Sequence, residues 1–227
     1  MNNYKPPSFE IIDKEIAESL SILRQHGFNI NLNDDLKNRF DSKTLFDGDD
    51  GLFKKLIKDS KIYFEYGCGK STEYVYRFTQ SKIFAVDTSK EWVKKIEKIS
   101  TLKDDCRLNL KWIDVGEVEN WGYPKSFNKR KNFPIYANWL WQQNEMPDLI
   151  LIDGRFRVLC FLTSLKFSPK GTKILFDDYR DRQFYHIVEE FCPIIDRCGR
   201  QALFESTNGV KEKITDELLL SFYNVAG

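Results

Sequence analysis

Carboxylates stand where the apolar runs of this chain stop. Ser81-Lys82-Ile83-Phe84-Ala85-Val86 ends on Asp87, and Leu108-Asn109-Leu110-Lys111-Trp112-Ile113 ends on Asp114. Pro147-Asp148-Leu149-Ile150-Leu151-Ile152 ends on Asp153, and Gly171-Thr172-Lys173-Ile174-Leu175-Phe176 ends on Asp177-Asp178. Lys61-Ile62-Tyr63-Phe64-Glu65-Tyr66 carries Glu65 and runs straight into Gly67-Cys68-Gly69. Packing alone gives buried strands no reason to gather carboxylates at one edge. Ligand binding does, because open parallel sheets bind ligands outside the carboxyl ends of their strands. The chemistry on offer is specific. Glycines let the backbone come close to a ligand, and a carboxylate can accept from hydroxyls or remove a proton. Several carboxylate oxygens together suit a hard cation such as magnesium or calcium.

These residues need a scaffold to bring them together. Residues 61–89 read as strand, glycine loop, helix, strand, with Ser71-Thr72 opening a helix whose apolar side is Tyr74, Val75 and Phe78. A helix over 90–100 buries Trp92, Val93, Ile96 and Ile99 and leads to the third strand. The fourth strand is continuously apolar, as a parallel sheet covered on both faces requires. The next helix buries Val158, Leu159, Phe161, Leu162 and Leu165, and another is expected over 182–191. Strand-like runs over 200–205 and 218–225 close the chain. The fold class is therefore α/β, a Rossmann-like, mostly parallel sheet. Residues 1–58 precede it as a helical extension, with Ile12, Ile16, Leu20 and Leu23 at helical spacing and a second helix near 51–59. The acidic stretch Asp47-Gly48-Asp49-Asp50-Gly51 lacks the closing glutamate of a calcium loop and reads as a solvated turn.

The loop spacing narrows the ligand. A dinucleotide fingerprint needs a third glycine three residues after the second, and Thr72 stands there. The string Glu65-Tyr66-Gly67-Cys68-Gly69-Lys70-Ser71-Thr72 instead resembles the first motif of class I S-adenosylmethionine (SAM) dependent methyltransferases, E-x-G-x-G-x-[ST]. The resemblance covers 61–227 and implies a seven-stranded sheet. In it the Gly67–Gly69 backbone approaches the methionine part of the cofactor, and the helix start at Ser71 offers free N–H groups. Asp87 accepts from the ribose hydroxyls and Asp114 from the adenine amino group. Without a ligand the loop would be a bare strand-to-helix turn, and Asp114 a polar strand end.

The later motifs, Ile-Asp-Gly at Asp153 and Asp-Asp-Tyr at Asp177-Asp178, are similar to those of cation-dependent and sugar O-methyltransferases. The resemblance implies a divalent ion on Asp153, Asp177 and Asp178, or a metal-free site with Asp153 or Asp178 as base. Arg155 and Arg157 depart from those families. They could clamp a carboxylate or phosphate on the acceptor, or neutralise the aspartates. Residues 116–145 form an aromatic insert with Trp121, Tyr123, Phe127, Phe133, Tyr136, Trp139 and Trp141, helical over 136–143. It could wall or cover the substrate with aromatic faces, and its Lys125, Lys129, Arg130 and Lys131 could meet an anion; a packed excursion with a solvated basic loop is the plainer alternative. His186 follows the Asp-Asp-Tyr loop, where a core or surface role is favoured, and Cys68 fits a turn better than it fits a nucleophile, having no histidine partner.

Composition excludes other classes. The net charge is +1 from 35 basic and 34 acidic residues, which gives no support for nucleic-acid binding. No Asn/Asp-Pro-Pro-Tyr base-methylation motif stands at the fourth strand. No run reaches the ~20 apolar residues of a membrane helix. The five cysteines include no Cys-x-x-Cys pair, so a reducing, cytoplasmic setting is expected. The expected activity is SAM-dependent O-methylation of a small polar acceptor, of sugar or glycan-precursor type. A nicotinamide-dependent oxidoreductase and a non-catalytic partner with the same fold are the alternatives, and the sequence leaves the oligomeric state open.

Overall fold

The computed structural model describes residues 45–46, 49–99 and 106–227. The helix expected around Ile12–Leu23 and the turn residues Asp47 and Gly48 lie outside them. No helix among the described residues is long and apolar enough to cross a membrane.

Seven strands form one sheet: β1 (Ile62–Tyr66), β2 (Lys82–Asp87), β3 (Leu108–Trp112), β4 (Leu149–Ile152), β5 (Lys173–Phe176), β6 (Asp196–Cys198) and β7 (Gln201–Glu205). Their order is β3-β2-β1-β4-β5-β7-β6. The first five are parallel, and β7 enters antiparallel beside β5. Side chains alternate across a strand, so the sheet has two apolar faces. Phe64, Tyr66, Ile150 and Ile152 share one core cluster, while Tyr63, Leu149 and Leu151 share the other.

Helices cover both faces. Helices α1 (Gly51–Ile57), α2 (Lys70–Phe78) and α3 (Lys90–Glu97) supply Phe53, Val75 and Val93 to the second cluster. Helices α4 (Phe133–Asn138), α5 (Arg157–Phe167) and α6 (Asp216–Phe222) supply Tyr136, Leu159 and Leu219 to the first. Thus α1 packs directly on the sheet, with the Phe53 and Tyr63 rings 6.0 Å apart.

The end of the chain departs from expectation. Residues 218–225 are not a strand; Asp216–Phe222 is helical. Thr215 caps it by accepting the Leu218 amide, and Asp216 and Glu217 sit in its first turn, where the helix dipole favours negative charge. A short apolar run such as Leu218-Leu219-Leu220 fits either period, and the cap decides. The closing pair is instead the β6–β7 hairpin, joined through Gly199 at φ +56°. The expected helix over 182–191 is a 3-10 helix, Gln183–Glu190. In the insert, α4 begins ahead of 136 because Pro134 is accommodated in its first turn, and a 3-10 turn, Trp139–Gln142, continues it.

Candidate active site

Register builds the site. Tyr66 pairs with both Val86 and Ile152, and Ile152 pairs with Phe176. The next residue on each strand therefore falls in one row: Asp87, Gly67, Asp153, Asp177. Hydrogen bonds carry the ladder into it, from Gly67 N–H to Val86 O (2.8 Å), Asp153 N–H to Tyr66 O (2.9 Å) and Asp177 N–H to Ile152 O (3.0 Å). Strand order reverses between β1 and β4, the switch point where such sheets open a crevice. A cavity of about 640 Å³ lies there, lined by Gly67, Gly69, Ser71, Asp87, Asp153, Arg155 and Asp178 among others.

The two loop glycines have different reasons. Gly67 has φ +92°, and a Cβ on it would lie 2.6 Å from Gly154 Cα. It is demanded by the fold, because the β1 and β4 loops touch there. Gly69 has extended backbone, which any residue adopts, and a Cβ on it would meet nothing within 4 Å. The protein does not need glycine at 69, and the open space is the cavity. Gly67→Ala should therefore cost about 1–3 kcal/mol of stability. Gly69→Ala should change stability by less than about 0.5 kcal/mol. Parallel urea titrations of the two variants check this; equal losses would contradict the assignment.

Behind the loop, Glu65 is fully buried and accepts from the hydroxyls of Ser71 and of Thr72, the latter at 2.7 Å. Thr72 Oγ1 in turn accepts the Gly69 amide at 2.8 Å. Glu65 thus braces the loop from below and does not line the cavity. Burial pushes its carboxyl up from the usual 4.5 to about 8, the two hydroxyls offsetting only part. A raised carboxyl means the folded state holds a proton the unfolded chain has released. That stability is complete below about pH 4.5 and is lost as pH climbs through about 8. Glu65→Gln should flatten the fall of unfolding free energy between those pH values. Denaturation series run across that range would show it; parallel wild-type and variant profiles would refute it.

Asp87 closes the other side. Its two oxygens accept the Cys68 amide (2.8 Å) and the Ser89 amide (2.6 Å), leaving lone pairs for further donors. Burial lifts its carboxyl to about 6, so it is mostly ionised at neutral pH. Burial and the neighbouring Asp87 push the Cys68 thiol far up, so it is no nucleophile.

At the β4–β5 side, Asp153, Asp177 and Asp178 bring carboxylate oxygens within 4.8 Å of one another. Arginines already hold them. Arg157, only 3% exposed, bonds Asp153 Oδ1 and Asp178 Oδ2, both at 3.2 Å. Arg182 reaches Asp178 Oδ2 at 3.0 Å, and Arg200 reaches Asp177 Oδ2 at 2.6 Å and Asp178 Oδ1 at 3.0 Å. Asp177 is fully buried and also accepts from Gln201 at 2.9 Å. Both oxygens of Asp177 and of Asp178 are taken. A divalent ion would have to displace guanidiniums and sit among the rest, so this donor set does not fit one. The Asp153 carboxyl is raised by burial and by crowding from Asp177 and Asp178, against the pull of Arg157.

Three residues other than glycine hold left-handed backbone among the described residues: Trp121, Phe156 and Asp178. Trp121 and Asp178 line the cavity and Phe156 sits between Arg155 and Arg157. Such strain collects at functional sites.

No protein-family model matches this sequence, and no curated protein matches it. Solved structures do. A methyltransferase-like protein from Silicibacter pomeroyi is 26% identical, with a TM-score of 0.65 over 77% of this chain and 92% of that one. An O-methyltransferase from Bacillus cereus in complex with SAH is 14% identical, with a TM-score of 0.47 over 84% and 100%. The mycinamycin-pathway methyltransferase MycE, in complex with Mg and SAH, is 12% identical, with a TM-score of 0.47 over 90% and 58%. The chain has the class I SAM-dependent methyltransferase fold.

Within this methyltransferase fold, Gly67, Gly69, Ser71, Asp87, Asp153, Arg155 and Asp178 share one cavity. Glu65 and Thr72 stand beneath it as braces, and Asp177 stands behind it, held by Arg200. Asp114 lies apart. Asp87 pairs with Trp112, so β3 carries Asp114 two residues beyond the row, where it pairs with Lys129. His186 stacks on Tyr179 at 4.9 Å and lies outside the cavity lining. All five cysteines are free thiols.

The insert divides in two. Phe133, Tyr136, Ala137 and Leu140 are core, and Trp141 donates to the Tyr66 hydroxyl at 2.8 Å. Asn120, Trp121 and Tyr123 line the cavity. Their turn is pinned at the β2 end, where Thr88 donates to Gly122 O at 2.8 Å and a Cβ at 122 would lie 2.3 Å from Thr88 Oγ1. Trp121 is left 80% exposed on the rim. The insert's basic residues, Lys125, Lys129, Arg130 and Lys131, do not reach the cavity. The cations that do are Lys70, Arg155, Arg157, Arg182 and Arg200. Sequence reading passed over Arg182 and Arg200, since only the placement of β7 beside β5 brings Arg200 to Asp177.

Proposed function

We propose that this chain is a SAM-dependent methyltransferase that methylates an oxygen of a small polar acceptor, of sugar type. The observation that carries the cofactor assignment is Gly69, which lines the cavity and where a Cβ would meet no protein atom within 4 Å. The neighbouring groups fit the same molecule. Asp87 stands where it can accept from two ribose hydroxyls. The loop backbone and the first turn of α2, at Ser71, offer N–H groups to the polar methionine end. The likeness to the methyltransferase-like protein from Silicibacter pomeroyi supports this reading.

Bound SAM supplies a methyl group on a sulfonium. The chain's own task is to align the acceptor and take up its proton. Asp153 is suited to the second. It lies beside Gly67 across the switch point, is about three-tenths exposed to the cavity, and has a raised carboxyl. Asp153 would take up the proton that the acceptor hydroxyl releases on transfer. Arg157 holds that carboxylate in place. The charge a cation would otherwise bring is supplied by Arg157, Arg182 and Arg200, so this reading uses no metal.

The test is calorimetric titration of the purified chain with SAH, with NAD as control and with magnesium added in a parallel run. We expect SAH binding in the micromolar range that magnesium leaves unchanged, and none for NAD. Gly69→Ala should weaken SAH by at least about tenfold. No SAH binding would remove the methyltransferase reading.

A further inference from the structure

Of the arginines in the cavity wall, Arg155 alone lacks a carboxylate among the described residues. Arg157, Arg182 and Arg200 are each ion-paired. Arg155 lines the same cavity and is half-buried, and its Nε is shielded from solvent with no hydrogen-bond partner. A guanidinium stays charged in proteins, and shielding an N–H donor without an acceptor is costly. Asp177 and Asp178 are held by the other three arginines, and Asp87 accepts the Cys68 and Ser89 amides. We propose that Arg155 binds an oxyanion, a carboxylate or phosphate, carried by the acceptor substrate. This rests on the methyltransferase reading above, whose acceptor class it narrows.

The position favours the acceptor over the cofactor's own carboxylate. Arg155 follows β4, and its amide donates to the Tyr136 hydroxyl at 3.4 Å. Its guanidinium lies beside Tyr123 and Gly227. Burial and the nearby Arg157 both act against its charge, and Tyr185 and Tyr136 favour it. Arg157 follows β4 and Tyr185 follows β5. The group fitted to the ribose, Asp87, ends β2. An oxyanion on Arg155 would sit near Asp153, which places an acceptor hydroxyl within the same substrate against the base. The planar fork of arginine matches carboxylate and phosphate alike.

The probes are inorganic phosphate and acetate, titrated into the SAH-saturated protein by calorimetry. SAH and 5′-methylthioadenosine, which lacks the amino-acid carboxylate, are titrated separately. We expect saturable binding of at least one anion to wild type, weakened about ten- to hundredfold in Arg155→Gln, with SAH affinity unchanged. The tighter anion names the group. If Arg155→Gln weakens SAH but not 5′-methylthioadenosine, the guanidinium holds the cofactor's carboxylate and the proposal is wrong. If wild type binds neither anion, it is also wrong. Should Arg155→Gln fail to fold in a thermal scan, Arg155→Lys carries the test. A severalfold loss of anion affinity supports the fork, and no loss overturns it. If wild type binds no SAH, the anions are titrated into the free protein. Binding that depends on Arg155 then keeps the anion site while the methyltransferase reading falls.

Discussion

Replacing Arg157 by methionine is expected to cost about 3–5 kcal/mol of stability, out of the roughly 5–15 that hold a domain together. Every donor face of this buried guanidinium is used. Nε donates to Gly154 O at 2.8 Å, Nη1 to Asp177 O at 2.7 Å, and Nη2 to Asp153 O at 3.0 Å. Nη2 also pairs with the Asp153 and Asp178 carboxylates. Methionine fills the space but leaves crowded carboxylates and buried carbonyls without a donor. The two loops that Arg157 ties together, after β4 and after β5, are the ones that carry Asp153 and Asp178. Arg157→Lys should recover only a small part, because an ammonium cannot serve this many acceptors in a plane. Urea unfolding of both variants measures it. A loss under about 1 kcal/mol for the methionine variant would mean that solvent replaces these bonds.

Asp153→Asn should leave SAH affinity within about twofold of wild type and lower methyl transfer by about 10²–10⁴-fold, the usual contribution of a positioned base. An amide keeps the shape and can still accept from Arg157, but it cannot take up a proton. The wild-type rate should rise with pH as the raised Asp153 carboxyl ionises, because only the carboxylate accepts the acceptor's proton. That limb should vanish in the variant. The readout is transfer of a labelled methyl group to an acceptor found by screening oxyanion-bearing sugars. A variant with full turnover would take Asp153 out of the mechanism.

The sequence by itself determined the five parallel strands, their carboxyl-end acids and the glycine loop. Local rules suffice for these: β-branched and aromatic runs make strands, and a continuously apolar run such as Leu149–Ile152 makes a central parallel one. The Gly67-Cys68-Gly69 spacing and Asp87 are set within one strand-helix-strand unit, so they were legible too. What lies between units was not. The sequence could not separate the two glycines, since Gly67 answers to Gly154, a contact 87 positions away along the chain. It ranked Asp114 with the other strand-end acids, but β3 overshoots the row by two residues, and register is fixed only when sheets assemble. It offered two fates for Arg155 and Arg157, clamp or neutraliser, without assigning them. Only the tertiary structure divides the roles. Asp153, four residues back from Arg157, and Asp178, in the loop after β5, pair with Arg157, while Arg182 and Arg200 hold Asp178 and Asp177. Arg155 is left without a carboxylate partner among the described residues, because Asp177 and Asp178 are held by the other arginines and Asp87 is turned to the Cys68 and Ser89 amides.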